Sequence, residues 1–330
     1  MKKNIKLKKF ALLVWITSLG FTSMVQALPI MQNAQMLDKI NLQDKALVSY
    51  QTDVSLNLNK DSIQNKLTKL EEYTGIKMTN REFKEIGDKL IIQDSDNLSS
   101  TLDIDSRSGS FSYNTGMDKY YKEATTPNLL GETQALDMAY KHLENLNLIP
   151  QKEQLGVITQ GGLNMSIKKE NGYRENYKKM TSIRIDRQLN GIPVFGKSRI
   201  FINMGSNGEL ANMIYQWDKI IFSKEIISDE TITIDDVKKS IYNRLEKEAK
   251  NTVKINLNKI NLVLFDDGKG IIEPAYHVET QCFYTNTKGL YDIPLDFYVP
   301  ILKKPRAFYP FMNKVNLKPI QNNKNSFLLY

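Results

Sequence analysis

Two histidines, one cysteine and 37 acidic residues are the material from which any proton-transfer, nucleophilic or metal chemistry in this 330-residue chain must be built. His142 is followed by Leu143 and Glu144, with no second ligand at helical spacing, and no His-Glu-x-x-His zinc helix occurs. His277 shares one strand face with Glu273, Glu279 and Gln281. Two such groups begin a metal site, but zinc uses three or four ligands, so a surface or satisfied strand histidine is the better reading. Asp103-x-Asp105-x-x-x-Gly109 has the look of a calcium loop, yet its required glycine falls on Ser108 and Arg107 replaces an oxygen ligand. A strand running into a turn explains it better. Cys282 alternates with Tyr276, Val278 and Tyr284, the pattern of a buried thiol with no base beside it. Neither a Gly-x-Ser-x-Gly elbow nor a phosphate loop nor a dinucleotide fingerprint appears. The expectation is a protein that is not an enzyme, with no metal or other cofactor.

The elements that would position these residues follow a recurring order. Helices are expected over about Asp61–Tyr73, Glu132–Asn147 and Ile234–Ala249, each with an apolar stripe at three- and four-residue spacing. Asp61 is a plausible cap for the first, Pro150 stops the second, and Thr233 with Asp236 forms a capping box for the third. Short strands follow every helix. The clearest lie in 183–217, where Asn190-Gly191 and Asn207-Gly208 supply the positive φ angles of tight hairpins. Ile200, Ile202 and Met204 share one face there, as do Met213, Tyr215 and Trp217. Lys169–Lys178 reads as a solvated loop or long hairpin tip. The expected fold class is α+β, built as tandem helix-on-antiparallel-sheet units. In the last strand Pro294 and Pro300 share a face with Asp296 and Tyr298, which places that strand at an edge with those positions outward.

The N-terminus has the three parts of a secretory signal: five lysines in Met1–Lys9, an apolar run at Phe10–Phe21, and Val25-Gln26-Ala27 as a small-x-small cleavage site. Export to the periplasm or the medium is expected, with the mature chain starting near Leu28. Of 45 basic residues five leave with the signal, so 40 remain against 37 acidic ones. Six of those 40 lie in Lys303–Tyr330, which holds no acid, and the body is therefore slightly acidic. Such a body does not carry the basic face of a nucleic-acid-binding domain.

Arg187-Gln188-Leu189-Asn190-Gly191-Ile192-Pro193-Val194-Phe195-Gly196, followed by two strands around a glycine turn, resembles the propeptide module of thermolysin- and fungalysin-type metalloproteases. Leu262–Phe265, a glycine turn and Pro274-Ala275-Tyr276-His277-Val278 resemble the PepSY-type module of the same propeptides. The likeness spans roughly Glu132–Val299. It implies a binding module that assists and restrains a protease domain, here absent, so that any such action occurs in trans. The expected units are a signal peptide (1–27), a weakly PepSY-like unit (28–130), a propeptide-like unit (131–224), a PepSY-like unit (225–302) and a basic tail (303–330). The expected function is that of an exported non-catalytic binding protein, an inhibitor or folding helper of a secreted or periplasmic peptidase. The alternative is a structural or ligand-sensing envelope module unrelated to peptidases.

Expected contact residues are Arg187, Asn190 and Pro193 from the propeptide-like stretch, Tyr298 from the edge strand, and Lys303, Lys304 and Arg306 from the tail. Turn geometry alone would also explain Asn190, Gly191, Pro193 and Gly196. The tail mixes cations, prolines and aromatics as an extended arm does; it suits an acidic partner or an anionic envelope surface, or else it is a polar extension, disordered or packed loosely along the body. Expression in a secreting bacterium should yield a chain whose first residue, read by mass spectrometry of the intact protein, is Leu28. Retention of Met1 on the exported protein would show that the apolar run is an anchor instead.

Overall fold

Asn59 begins the first helix, α1 (Lys60–Thr74): its side-chain oxygen accepts from the Ser62 amide at 3.0 Å, and Ser62 Oγ returns to the Asn59 backbone. The cap therefore lies two residues before Asp61, which sits in the first turn where its charge suits the helix dipole. Gly75, at φ 70°, ends the helix. In the computed structural model, residues 30–310 are described apart from 41–45, 116, 123–125, 169, 171, 250–251 and 287–288. The signal segment and residues 311–330 of the tail lie outside the described residues. A single turn, α2 (Met117–Tyr120), precedes α3 (Glu132–Asn145), and α4 (Ile234–Ala249) starts on the Thr233–Asp236 box anticipated from the sequence. Val237, Ile241 and Leu245 form its buried stripe, while α3 buries Ala135, Ala139, His142 and Leu143. Among the described residues no helix is long and apolar enough to cross a membrane.

The strands overturn the expected architecture. They are β1 (Ile30–Gln32), β2 (Val48–Thr52), β3 (Arg81–Ile86), β4 (Lys89–Asp94), β5 (Thr101–Asp105), β6 (Phe111–Asn114), β7 (Leu155–Lys168), β8 (Arg174–Leu189), β9 (Ile192–Gly196), β10 (Arg199–Met204), β11 (Leu210–Gln216), β12 (Ile220–Glu225), β13 (Lys254–Asp266), β14 (Ile271–Asn286) and β15 (Gly289–Pro300). Instead of tandem helix-on-antiparallel-sheet units, all fifteen join one mixed sheet, ordered β12-β2-β14-β13-β9-β8-β10-β11-β6-β5-β4-β3, with β1, β15 and β7 attached at its sides. Distant segments interleave: β2 pairs with β12 and β14, and β6 pairs with β11. Two junctions, β1–β13 and β9–β13, are parallel. Side-chain periodicity fixes which face of a strand is apolar, but it carries no record of which distant strand lies alongside.

Two apolar cores result. One gathers α1, α3 and strands β4–β6, β8, β10 and β11 around Ile63, Leu102, Leu143, Ile185 and Ile202. The other sets α4 against β13, β14 and β15 around Ile241, Ile255, Val278 and Phe297, and takes Tyr50 of β2 and Ile192 and Val194 of β9. The hairpins of 183–217 form as expected, with Asn190 and Gly191 at φ 50° and 70° and Asn207 and Gly208 at 55° and 78°. The charged stretch expected as a loop or long hairpin tip closes the long β7–β8 hairpin, with β8 already begun at Arg174. β15 is an edge strand, as its prolines require.

β9 carries the sheet from one core to the other, and Gly196 lets it do so. Its φ is 95°, and a Cβ there would lie 2.1 Å from the Asp266 carbonyl oxygen. Gly196→Ala should therefore force β9 from β13 and lower stability by roughly 3 kcal/mol or more, read as a drop in the urea midpoint. An unchanged midpoint would show that the parallel junction tolerates separation.

Candidate binding cleft

β13 is paired along its whole length with β14, but on its other side only at its two ends. β1 covers Lys254–Asn256 and β9 covers Leu264–Asp266. Between them, among the described residues, no strand pairs with Leu257–Val263. Main-chain groups alternate sides along a strand. The Lys197 amide donates to the Asp266 carbonyl at 3.2 Å, so Asp266, Leu264, Leu262 and Ile260 turn their main-chain groups away from β14. The same register carried one step further would bring the amide of residue 193 to the Leu262 carbonyl. Residue 193 is proline and has no hydrogen to donate. The β9–β13 ladder therefore stops, and among the described residues no strand takes up the N–H and C=O that Ile260 and Leu262 each direct away from β14.

On that side is a cleft of about 680 Å³ between β13 and the β7–β8 limb. Pro193 and Phe195 stand at one end, Met36 and Ile40 line the side towards α4, and Val157, Arg184 and Asp186 form the far wall. Arg184 Nε donates to Asp186 Oδ1 at 2.7 Å, so that wall is internally neutral. On β13, Lys259 Nζ meets the Asn261 side-chain oxygen at 3.2 Å when the amide is turned to suit its neighbours, and Glu279 lies opposite on β14.

The expected contact residues are scattered. Pro193 lines the cleft, and Asn190 is exposed at the adjoining hairpin tip. Arg187 is only 1% exposed and presents nothing to a partner. Its Nη1 donates to the Asp218 carbonyl at 2.9 Å, its Nη2 to Gln154 Oε1 at 2.6 Å, and its guanidinium lies over the Trp217 ring at 5.1 Å. Burial pulls its pKa down while Asp266 and Asp218 push it back up. Tyr298 faces the opposite side of the sheet from α4 and stacks on His277, ring centroids 4.9 Å apart, and on Phe265 at 4.4 Å, with its pKa pushed up to about 12 by burial.

Lys303, Lys304 and Arg306 surround a second hollow of about 480 Å³ together with Lys224, Asp229 and Glu230. This part of the tail is held down rather than loose. The wholly buried Glu273 carboxylate accepts from Arg306 Nε at 2.9 Å and from the Arg306 and Ala307 amides at 2.9 and 3.1 Å, and Tyr309 stacks on Phe265. Lys303 Nζ donates to the Asp229 carbonyl at 2.7 Å, and Lys224 pairs with Glu230.

The residues first weighed for chemistry are absorbed by the fold. The Tyr73 hydroxyl meets His142 Nδ1 at 2.7 Å, Nε2 meets the Gly208 carbonyl at 2.9 Å, and burial lowers the ring's pKa. Cys282 is fully buried and its thiol pKa is raised by that burial. Asp105 Oδ1 accepts from the Arg107 and Ser108 amides, closing a strand-to-turn segment with Gly109 at φ 75°. His277 is buried between Phe195 and Tyr298, 3.5 Å from each of Glu279 and Asp296, and burial lowers its pKa.

Sequence reading missed Ile260 and Leu262, whose contribution is main-chain and leaves no residue-type signal. It placed Glu273 only on the His277 strand face and missed Asp218, since their partners lie 33 and 31 residues away.

No family model matches the chain. No curated protein matches it either. Among solved structures it is similar to an uncharacterized protein from Eubacterium rectale ATCC 33656, at 12% identity and a TM-score of 0.44, over 79% of this chain and 85% of that one.

Asp266, between the cleft's floor and Arg187, provides a pH test. Its Oδ2 accepts from Ser198 Oγ at 2.5 Å and its Oδ1 from the Gly268 amide at 2.9 Å, yet burial outweighs both and raises its pKa above the usual 3.8. The native state thus keeps this proton to higher pH than the unfolded chain. The stability it contributes is present below about pH 4 and is lost as pH rises through the folded pKa. Asp266→Asn lacks that loss, so its stability relative to wild type should improve between pH 4 and pH 7 in paired urea titrations. A difference that stays constant across that range would contradict the raised pKa.

Proposed function

We propose that this is an exported, non-catalytic binding protein that holds an extended segment of another polypeptide, acting in trans as an inhibitor or folding helper of a secreted or periplasmic peptidase. One observation carries the binding half: the unpaired stretch of β13, with the main chain of Ile260 and Leu262 directed into a cleft long enough for a strand. The peptidase half rests on the resemblance of 187–196 and 262–278 to protease propeptide modules. The non-catalytic half is supported by the engagement of His142 in structural bonds and the full burial of Cys282.

A second reading, contact with an anionic envelope surface, is favoured by the gathering of Lys224, Lys303, Lys304 and Arg306 around one hollow. Three of those four cations already meet Glu230, the Asp229 carbonyl or Glu273, and this ranks the surface reading second.

The test uses protein lacking residues 1–27, mixed with purified exported metallopeptidases of the same organism. A one-to-one complex on size exclusion, with reduced turnover of a peptide substrate or improved refolding of the peptidase, is the expected outcome. Failure to form a complex with any member, with turnover and refolding unchanged, would defeat the reading.

A further inference from the structure

The open stretch of β13 has a definite length, polarity and gatekeeper, and these specify what it takes. It is bounded by β1, which ends at Gln32 opposite Asn256, and by β9, whose pairing begins at Val194 opposite Leu264. The seven residues between, Leu257–Val263, span about 20 Å at roughly 3.3 Å per residue. At the β1 end the Leu257 carbonyl already accepts from Asn33 Nδ2 at 3.3 Å. Among the described residues, none pairs with the outward main-chain groups of Ile260 and Leu262.

We propose that this slot binds an extended peptide segment of five to seven residues as an added strand on β13, and that Pro193 is the residue that keeps the slot open. This deepens the binding function proposed above and rests on it. An added strand sends alternate side chains to opposite faces. One set lies beside Ile260 and Leu262 and meets Met36, Ile40 and Val194. The other lies beside Lys259 and Asn261, facing Arg184. Arg184 is neutralised by Asp186, and Lys259 Nζ is hydrogen-bonded by the Asn261 amide oxygen while keeping its charge, so the second set needs hydrogen-bonding polar groups and no cation. The fitting segment alternates apolar, preferably β-branched, residues with Ser, Thr, Asn or Gln. Specificity from the main chain is periodic: in such a segment only every second amide faces β13.

The probe is a fluorescent, end-blocked hexapeptide of alternating valine and threonine, together with two N-methylated forms that block alternate sets of amides. Binding by anisotropy should survive one form and fall at least tenfold with the other. Amide exchange followed by NMR should be fast at Ile260 and Leu262 in the free protein and slow once peptide is bound. Pro193→Ala restores an amide that can bond the Leu262 carbonyl, which should weaken the peptide at least tenfold without lowering the urea midpoint. If that variant misfolds, the N-methylated pair still decides on wild-type protein.

Equal tolerance of both N-methylated forms would overturn the proposal. So would binding without protection at residues 260 and 262, or amides already protected in the free protein, which would show the slot filled by the chain itself. A peptidase captured while exchange at Ile260 and Leu262 is unaltered would overturn the slot and leave the broader binding function standing. Absence of any captured peptidase would remove that function instead.

Discussion

The structure turns on a buried guanidinium. Arg187 sits at the place where β8 stops pairing with β10 and hands the sheet to β9, and it is almost wholly removed from water. An isolated buried charge costs several kcal/mol unless it is compensated by well-placed partners. Here they come from far-apart parts of the chain: the Asp218 carbonyl, the Gln154 amide oxygen and the Trp217 face. Asp218 in turn takes Lys197 at 2.8 Å and Ser110 at 2.6 Å, and Lys197 reaches Ser108 at 3.0 Å. Residues 108–110, 154, 187, 197 and 218 must therefore converge before all of these groups are satisfied. Breaking one partner strands another, so the bend between the two cores is held as a unit rather than as a sum of pairs. Arg187 Nε lacks a partner of its own, which leaves the arrangement dependent on the bonds the other two nitrogens make.

The cleft is a consequence of that bend. With β8 turned aside at Arg187, β9 is short: two residue pairs with β8, then three with β13. Gly196 permits its close approach to Asp266, and three residues earlier Pro193 ends the ladder by having no amide hydrogen. Approach and termination are thus set by two residues whose side chains do nothing chemical. The same Pro and Gly satisfy the hairpin that Asn190-Gly191 begins. Turn geometry and partner binding are therefore not competing explanations of this stretch, since the geometry creates the unpaired edge.

Local features of the fold were legible in the sequence. The Thr233–Asp236 cap, the apolar stripe of α4, the Asn-Gly hairpins and the outward prolines of β15 depend on residues within one or two turns of each other, and residue type reports them directly. Asn59 escaped notice because Asp61, two residues on, has equal capping chemistry. The large-scale architecture was not legible. Pairing of β2 with β12 or of β1 with β13 joins residues more than 150 positions apart, and any strand with one apolar face would serve. Of the site, Pro193 was visible as a residue type in a pattern, while Ile260 and Leu262 looked like ordinary core positions. Arg187 is expected at a partner contact from the likeness of 187–196 to a propeptide module, yet it is buried, because a cation near a turn reads the same whether it faces solvent or a buried carbonyl.

The location of the open edge has a physical logic when set against the sheet's other margins. β15 turns Pro294 and Pro300 outwards: they pair with Gln281 and Ala275, β14 residues whose main-chain groups face β13, so the missing amides fall on the solvent side. β12 carries a bulge between Ile220 and Phe222, and β3 presents Arg81, Glu82, Lys84 and Glu85 along an exposed edge. Prolines, bulges and charges are the devices that prevent unselective strand pairing. β13 carries a bulge between Leu257 and Lys259 and the charge of Lys259 at the β1 end of its gap, and along Ile260–Leu262 it has neither; there its protection is positional, with the β7–β8 limb on one side and β1 and β9 at the ends. Prolines, a bulge and charges thus guard the broad margins, while the unpaired stretch of β13 lies enclosed between elements of the same sheet.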